Sequence, residues 1–109
     1  KQGTVMLKGV LEGMVLAILA RRPAYGYEIT AWLREHGFAD IAEGTVYAVL
    51  VRIEQRGYVD VERVPSQQGP PRKVYTLNAD GQASLTEFWQ MWSDLSERLN
   101  ELKNPGELT

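Results

Sequence analysis

The chain has 109 residues, 44% of them hydrophobic, a formal net charge of −2 and no cysteine. That composition fits one small domain with a packed core and excludes a disulfide framework, a thiolate metal site and general electrostatic binding by a basic chain. No run of about 18 apolar residues occurs to span a membrane, and Lys8 and Glu12 interrupt the apolar N-terminal stretch, so no secretory leader is expected and a reducing cytoplasm is the expected location.

Leu7, Val10, Leu11, Met14, Val15, Ile18 and Leu19 recur at helical spacing and predict an amphipathic helix that ends near Arg21–Arg22, before Pro23. The segment Y-G-Y-E-I-T-A-W-L-R-E-H-G (25–37) predicts a shorter one, with Ile29, Trp32 and Leu33 on one face and Gly37 as its C-terminal cap. In E-G-T-V-Y-A-V-L-V-R-I-E-Q-R-G-Y-V (43–59), a third helix buries Val46, Val49, Leu50 and Ile53 and stops at Gly57. The period then changes. Y-V-D-V-E-R-V (58–64) and R-K-V-Y-T-L (72–77) alternate as strands, joined by P-S-Q-Q-G-P-P, which is too long for a two-residue hairpin. Asn78 caps a last helix whose Leu85, Phe88, Trp92, Leu95, Leu99 and Leu102 follow 3-4-3-4-3 spacing, that of a coiled-coil seam, and the tail 103–109 is expected to fray.

Charge is distributed unevenly along the chain. Residues 44–78 carry five Lys/Arg against three Asp/Glu, whereas residues 79–109 carry two against six. A localised basic surface is therefore confined to the middle third. The third helix turns Ala48, Val51, Arg52 and Gln55 outward, flanked by Thr45 and Tyr47. Small apolar groups suit thymine methyls, Arg suits guanine and Gln suits adenine, so this face has the chemistry of major-groove readout. Packing against another part of the protein would explain Ala48 and Val51 alone. Arg72 and Lys73, just past the proline-stiffened loop, suit phosphate contact. Three helices followed by a basic-tipped hairpin describe a winged helix-turn-helix, a mainly α (α+β) fold of three helices and a two-stranded wing, here with a long C-terminal helix. No catalytic, phosphate-loop or dinucleotide motif occurs, and the lone His36 sits near a helix end, so neither an enzyme nor a cofactor is expected.

The stretches L-K-G-V-L-E-G-M-V-L-A-I-L, Y-G-Y-E-I, G-T-V-Y-A-V-L-V-R-I-E-Q-R-G-Y-V and G-P-P-R-K-V-Y-T-L-N-A-D-G together resemble the compact subclass of the PadR family of bacterial transcriptional regulators, over about residues 7–100. The resemblance implies DNA contacts at Thr45, Tyr47 and Arg52, a phosphate contact at Tyr25, and basic wing positions at Arg72 and Lys73. Asn78 stands where the family usually has threonine. The resemblance further implies a homodimer joined through the last helix, reading an inverted-repeat operator as a repressor, and release by a small aromatic effector. On this reading residues 1–78 are the DNA-binding domain and 79–109 the dimerisation helix and tail, in one compact unit. Ala48 and Gln55 complete the candidate DNA face. Trp92, with Trp89, Met14 and Met91 near it, is either dimer core or a platform for the effector. The alternatives are a winged helix used for protein–protein contact and a small-molecule binding protein without a DNA target.

Overall fold

A computed structural model describes residues 2–104 and 106. Its elements run α1 (Gln2–Arg21), β1 (Ala24–Tyr25), α2 (Gly26–Glu35), α3 (Glu43–Gln55), β2 (Val59–Val64), β3 (Arg72–Leu77) and α4 (Ala79–Lys103). This is the winged helix-turn-helix expected, with the long C-terminal helix in place. Of the tail 103–109 expected to fray, Lys103 is the last residue of α4, and positions 105 and 107–109 lie outside the described residues. No helix among those described is long and apolar enough to cross a membrane.

One core serves every element. Leu11, Val15, Leu16 and Leu19 of α1 meet Ile29 and Leu33 of α2 and Val46, Val49, Leu50 and Ile53 of α3, with Val59 and Tyr75 closing the sheet side. Leu85 of α4 also belongs to this core, at 3% exposure. Its expected place in a seam between chains is therefore corrected, because its side chain is already buried within its own chain. Phe88, one turn later, lies half-buried against Gly13 of α1, and a Cβ at Gly13 would overlap its ring. The heptad pattern thus divides. Its first two positions pack inward, and Trp92, Leu95, Leu99 and Leu102 remain exposed.

The sheet has the order β1-β3-β2, all antiparallel. The hairpin was expected, but β1 was not. It is two residues long, too short for any periodicity to announce, and pairs Ala24 with Tyr75 and Tyr25 with Val74. That pairing fixes the start of α2 to the base of the wing. At the wing tip, Gly69 takes a left-handed φ of 91°, and the Ser66 hydroxyl lies within 2.9–3.3 Å of the carbonyls of Gln68, Gly69 and Pro70.

The helix ends follow their capping residues. Gly57 (φ 76°) reverses the chain after α3 while the Tyr58 N–H donates to the Ile53 carbonyl at 3.0 Å. Asn78 accepts from the Gly81 N–H at 2.9 Å and donates through Nδ2 to the Gly57 carbonyl at 2.9 Å. A threonine hydroxyl could cap α4, but it lacks the separate amide group with which Asn78 also ties α4 to the end of α3.

Gly81 is the tightest point of that junction. A Cβ there would fall on the Tyr58 carbonyl oxygen, a backbone atom that cannot rotate away, whereas Gly44 has open space around it. Gly81→Ala is expected to cost about 1–3 kcal/mol of stability through overpacking, and Gly44→Ala to be neutral or stabilising by up to about 1 kcal/mol. Urea denaturation midpoints of the two variants check the contrast.

Candidate nucleic-acid interface

The β1–β3 pairing brings Tyr25 and Tyr27 beside Arg72. The two tyrosine rings stack at 5.6 Å between centroids with 13° between planes. The Arg72 guanidinium lies over both, 5.9 Å from the Tyr25 centroid and 5.2 Å from that of Tyr27. This arrangement orients an exposed cation at the loop end of the wing strands without neutralising it. The Tyr25 N–H, at the head of α2, donates to the Glu28 carboxylate at 2.8 Å, which completes the turn.

Across from this cluster stands α3. Tyr47 crosses so close to Gly26 that a Cβ on that glycine would sit 2.6 Å from the tyrosine ring. The central glycine of Y-G-Y is thus a seat for an aromatic ring from the next helix. Tyr25, Gly26, Tyr27, Tyr47, Val51, Arg72, Lys73 and Tyr75 line an open cleft of about 580 Å³ between α2, α3 and the wing. Ala48, Val51 and Gln55 are exposed on the outer side of α3, as expected for a face left free.

Thr45 and Arg52, also expected as contacts, sit on the α1 flank of α3. Thr45 is half-buried on the α1 side of α3, lining a small cavity with Leu7, Leu11 and Ile41, away from the cleft. Arg52 is on that side too, and its Nε donates to Glu12 Oε1 of α1 at 2.9 Å. Arg56 Nη1 reaches the same carboxylate at 2.7 and 2.9 Å. Arg52, expected as a guanine reader, thus has its Nε engaged by α1 while its side chain stays 44% exposed. On the cleft side, Lys73 Nζ stands 3.6 Å from Glu54 Oε1, a loose pair.

Tyr27, Glu12 and Glu54 were not singled out from the sequence. The doubled tyrosine of Y-G-Y was the available signal for Tyr27, and a single acid inside the apolar run V-L-E-G-M-V-L was that for Glu12.

On α4, Trp89 and Trp92 are about half exposed and Met91 is 65% exposed, whereas Met14 is half-buried against the core. Trp89 tilts against Phe88, with centroids 5.1 Å apart. Met91 borders a separate cleft of about 300 Å³ between α1 and α4, next to Phe88, Glu12 and Arg52. Among the described residues, Met91 lines that cleft without Met14, Trp89 or Trp92. His36 stacks on Trp32 at 3.9 Å, and its Nδ1 pairs with the Trp32 carbonyl at 2.8 Å at the end of α2.

The sequence profile of the transcriptional regulator PadR-like family matches residues 15–87. A Streptococcus transcriptional regulator of known structure is 41% identical, with 90% of this chain and 96% of that one covered and a TM-score of 0.79. A PadR-like transcriptional regulator from Bacillus cereus is 39% identical over 89% of this chain and 94% of its own, with a TM-score of 0.77. A PadR family regulator from Eggerthella lenta is 31% identical over 93% and 88%, with a TM-score of 0.82.

One tyrosine of the cleft should titrate late. Burial pushes the Tyr75 hydroxyl above its ordinary value of 10.0, and the charges of Glu54 and Tyr47 add to the shift. The neutral phenol is the form the fold favours, so its contribution to stability is complete below pH 10 and is lost as pH rises through the raised folded value. Ultraviolet difference titration is expected to show a tyrosine that ionises after the others, absent in Tyr75→Phe.

Proposed function

The chain belongs to the PadR-like family of transcriptional regulators, and from that premise we propose that it is a repressor that binds an inverted-repeat DNA operator as a homodimer. The observation that carries this reading is the juxtaposition of the stacked Tyr25–Tyr27–Arg72 cluster with the free outer face of α3. The wing supplies an oriented guanidinium for phosphate. Ala48, Val51 and Gln55 present small, apolar and amide groups to the major groove, and Tyr25 and Tyr47 supply hydroxyls at its edge. Lys73 adds a second wing cation once it exchanges Glu54 for phosphate. Base reading here rests on Ala48 and Gln55, with Arg52 and Thr45 moved to the flank.

The dimer is proposed to form through 79–109. Trp89, Trp92, Leu95, Leu99 and Leu102 are each between 48% and 63% exposed, an apolar row that water alone would cover poorly. A two-fold contact along this row has to place two α3 helices on one side of the pair if two half-sites are to be read. It also sets Trp92 against its symmetry mate, a slot for a planar aromatic effector. Such an effector acts only if it binds the DNA-competent and incompetent spacings of the two wings unequally.

The controlling experiment is retention of duplex carrying the gene's own upstream region over a salt series. Binding that weakens steeply with salt supports the reading, and no retention at low salt sinks it. Arg72→Ala is expected to weaken all sequences nearly equally and to reduce the salt slope by about 1. Leu95→Asp is expected to give monomers by sedimentation, and a dimer that survives it removes the proposed α4 contact.

A further inference from the structure

On both flanks of α3 a carboxylate of the protein lies against a cation next to the proposed DNA face. Glu54 stands by Lys73 on the wing side. Glu12 engages both Arg52 and Arg56 on the α1 side. The two arginines are one turn apart, about 6 Å along the helix axis, and border the outward row of Ala48, Val51 and Gln55. A helix in the major groove has a phosphate strand along each flank, so these side chains project where phosphates would run. Their side chains remain 44% and 49% exposed, open to an anion from solvent, while that of Glu12 is 24% exposed and set into the α1 surface.

We propose that Glu12 acts as an internal competitor of DNA phosphate, occupying the Arg52 and Arg56 guanidinium groups and so holding down the sequence-independent part of the affinity for duplex DNA. The proposal rests on the DNA-binding reading above and adds to it a residue of α1 that does not itself touch DNA. The geometry carries it. One carboxylate spans two guanidinium groups with contacts of 2.7–2.9 Å, the length of charge-assisted bonds. A phosphate offers the same two groups an equivalent oxygen pair, so the two anions compete for one site. Phosphate contacts bind all sequences alike, and base-edge contacts on the outer face do not. Masking the flank cations therefore leaves a larger share of the recognition to Ala48, Val51 and Gln55.

The test uses the full chain and a mixed-sequence duplex, followed by fluorescence anisotropy from low to moderate salt. Wild-type binding is measured first, and its absence overturns the DNA reading itself. Given that binding, Glu12→Gln is expected to tighten it several-fold at low salt and to steepen the slope of log K against log salt by about 1–2, one increment for each guanidinium released to phosphate. Glu12→Asp keeps the net charge but shortens the reach, and is expected to steepen the slope as well. Glu35→Gln, the same charge change at the exposed far end of α2, is expected to leave the slope unchanged. Adding Arg52→Gln and Arg56→Gln to Glu12→Gln is expected to bring the slope back to the wild-type value or below. Glu12 variants with the wild-type slope, or weaker binding at every salt concentration, overturn the proposal, since a purely structural tie between α1 and α3 predicts the latter.

Discussion

The burial of Val46, Val49, Leu50 and Ile53 fixes the rotation of α3, and the position of every candidate contact on that helix follows from it. The four side chains are between 0% and 3% exposed. Burying each contributes about 1.5–3 kcal/mol before the cost of ordering the chain, so turning the helix by even one residue would expose part of that surface. With 100° per residue, the same rotation aims Ala48, Val51 and Gln55 outward, Thr45, Arg52 and Arg56 toward α1, and Tyr47 and Glu54 toward the wing. The contents of the three sides are thus a consequence of packing the fourth.

Much of this was legible in the sequence because the signals are local. The apolar spacing of α3, the stop at Gly57, the cap at Asn78 and the valine alternation of β2 each involve residues within a turn or two of one another. What stayed illegible was long-range. The Arg52–Glu12 bond joins residues 40 positions apart, and nothing in V-R-I-E-Q-R shows that an acid of the first helix will meet its arginines. The same limit applies to β1, whose two residues become a strand only because β3 lies alongside. Leu85 shows it most sharply. Heptad spacing states that a face is apolar, but not whether the surface it buries against belongs to the same chain. The division came from Gly13, which lets Phe88 approach α1 closely enough to pin the first turns of α4 to the core.

That division gives α4 two unlike halves with one rigid axis. Leu85 and Phe88 lock its N-terminal half to α1, while the half beyond Trp92, about 17 Å of a helix about 37 Å long, is exposed. In the proposed dimer, a change in how two such extensions meet would act on the packing of Phe88 on Gly13. Beside that contact, on the same stretch of α1, is Glu12. A chain of packed groups therefore runs from the proposed dimer surface through Phe88 and α1 to the arginines of α3. Such a chain couples two sites only if one of its members has two discrete arrangements, and the proposed exchange of Glu12 for phosphate at Arg52 and Arg56 would supply them.

The uneven charge acts on the same axis. Residues 79–109 carry six acids against two cations, and residues 44–78 carry the excess of cations. A duplex approaching this field is attracted to the α3–wing end and repelled along α4, so the fold can orient DNA while the whole chain remains slightly acidic. A chain of this charge has little general attraction for phosphate to spend on wrong sequences. On the proposed reading, carboxylates set beside Lys73, Arg52 and Arg56 would reduce it further at that surface and leave the neutral groups on the outer face of α3 to decide where the protein stays bound.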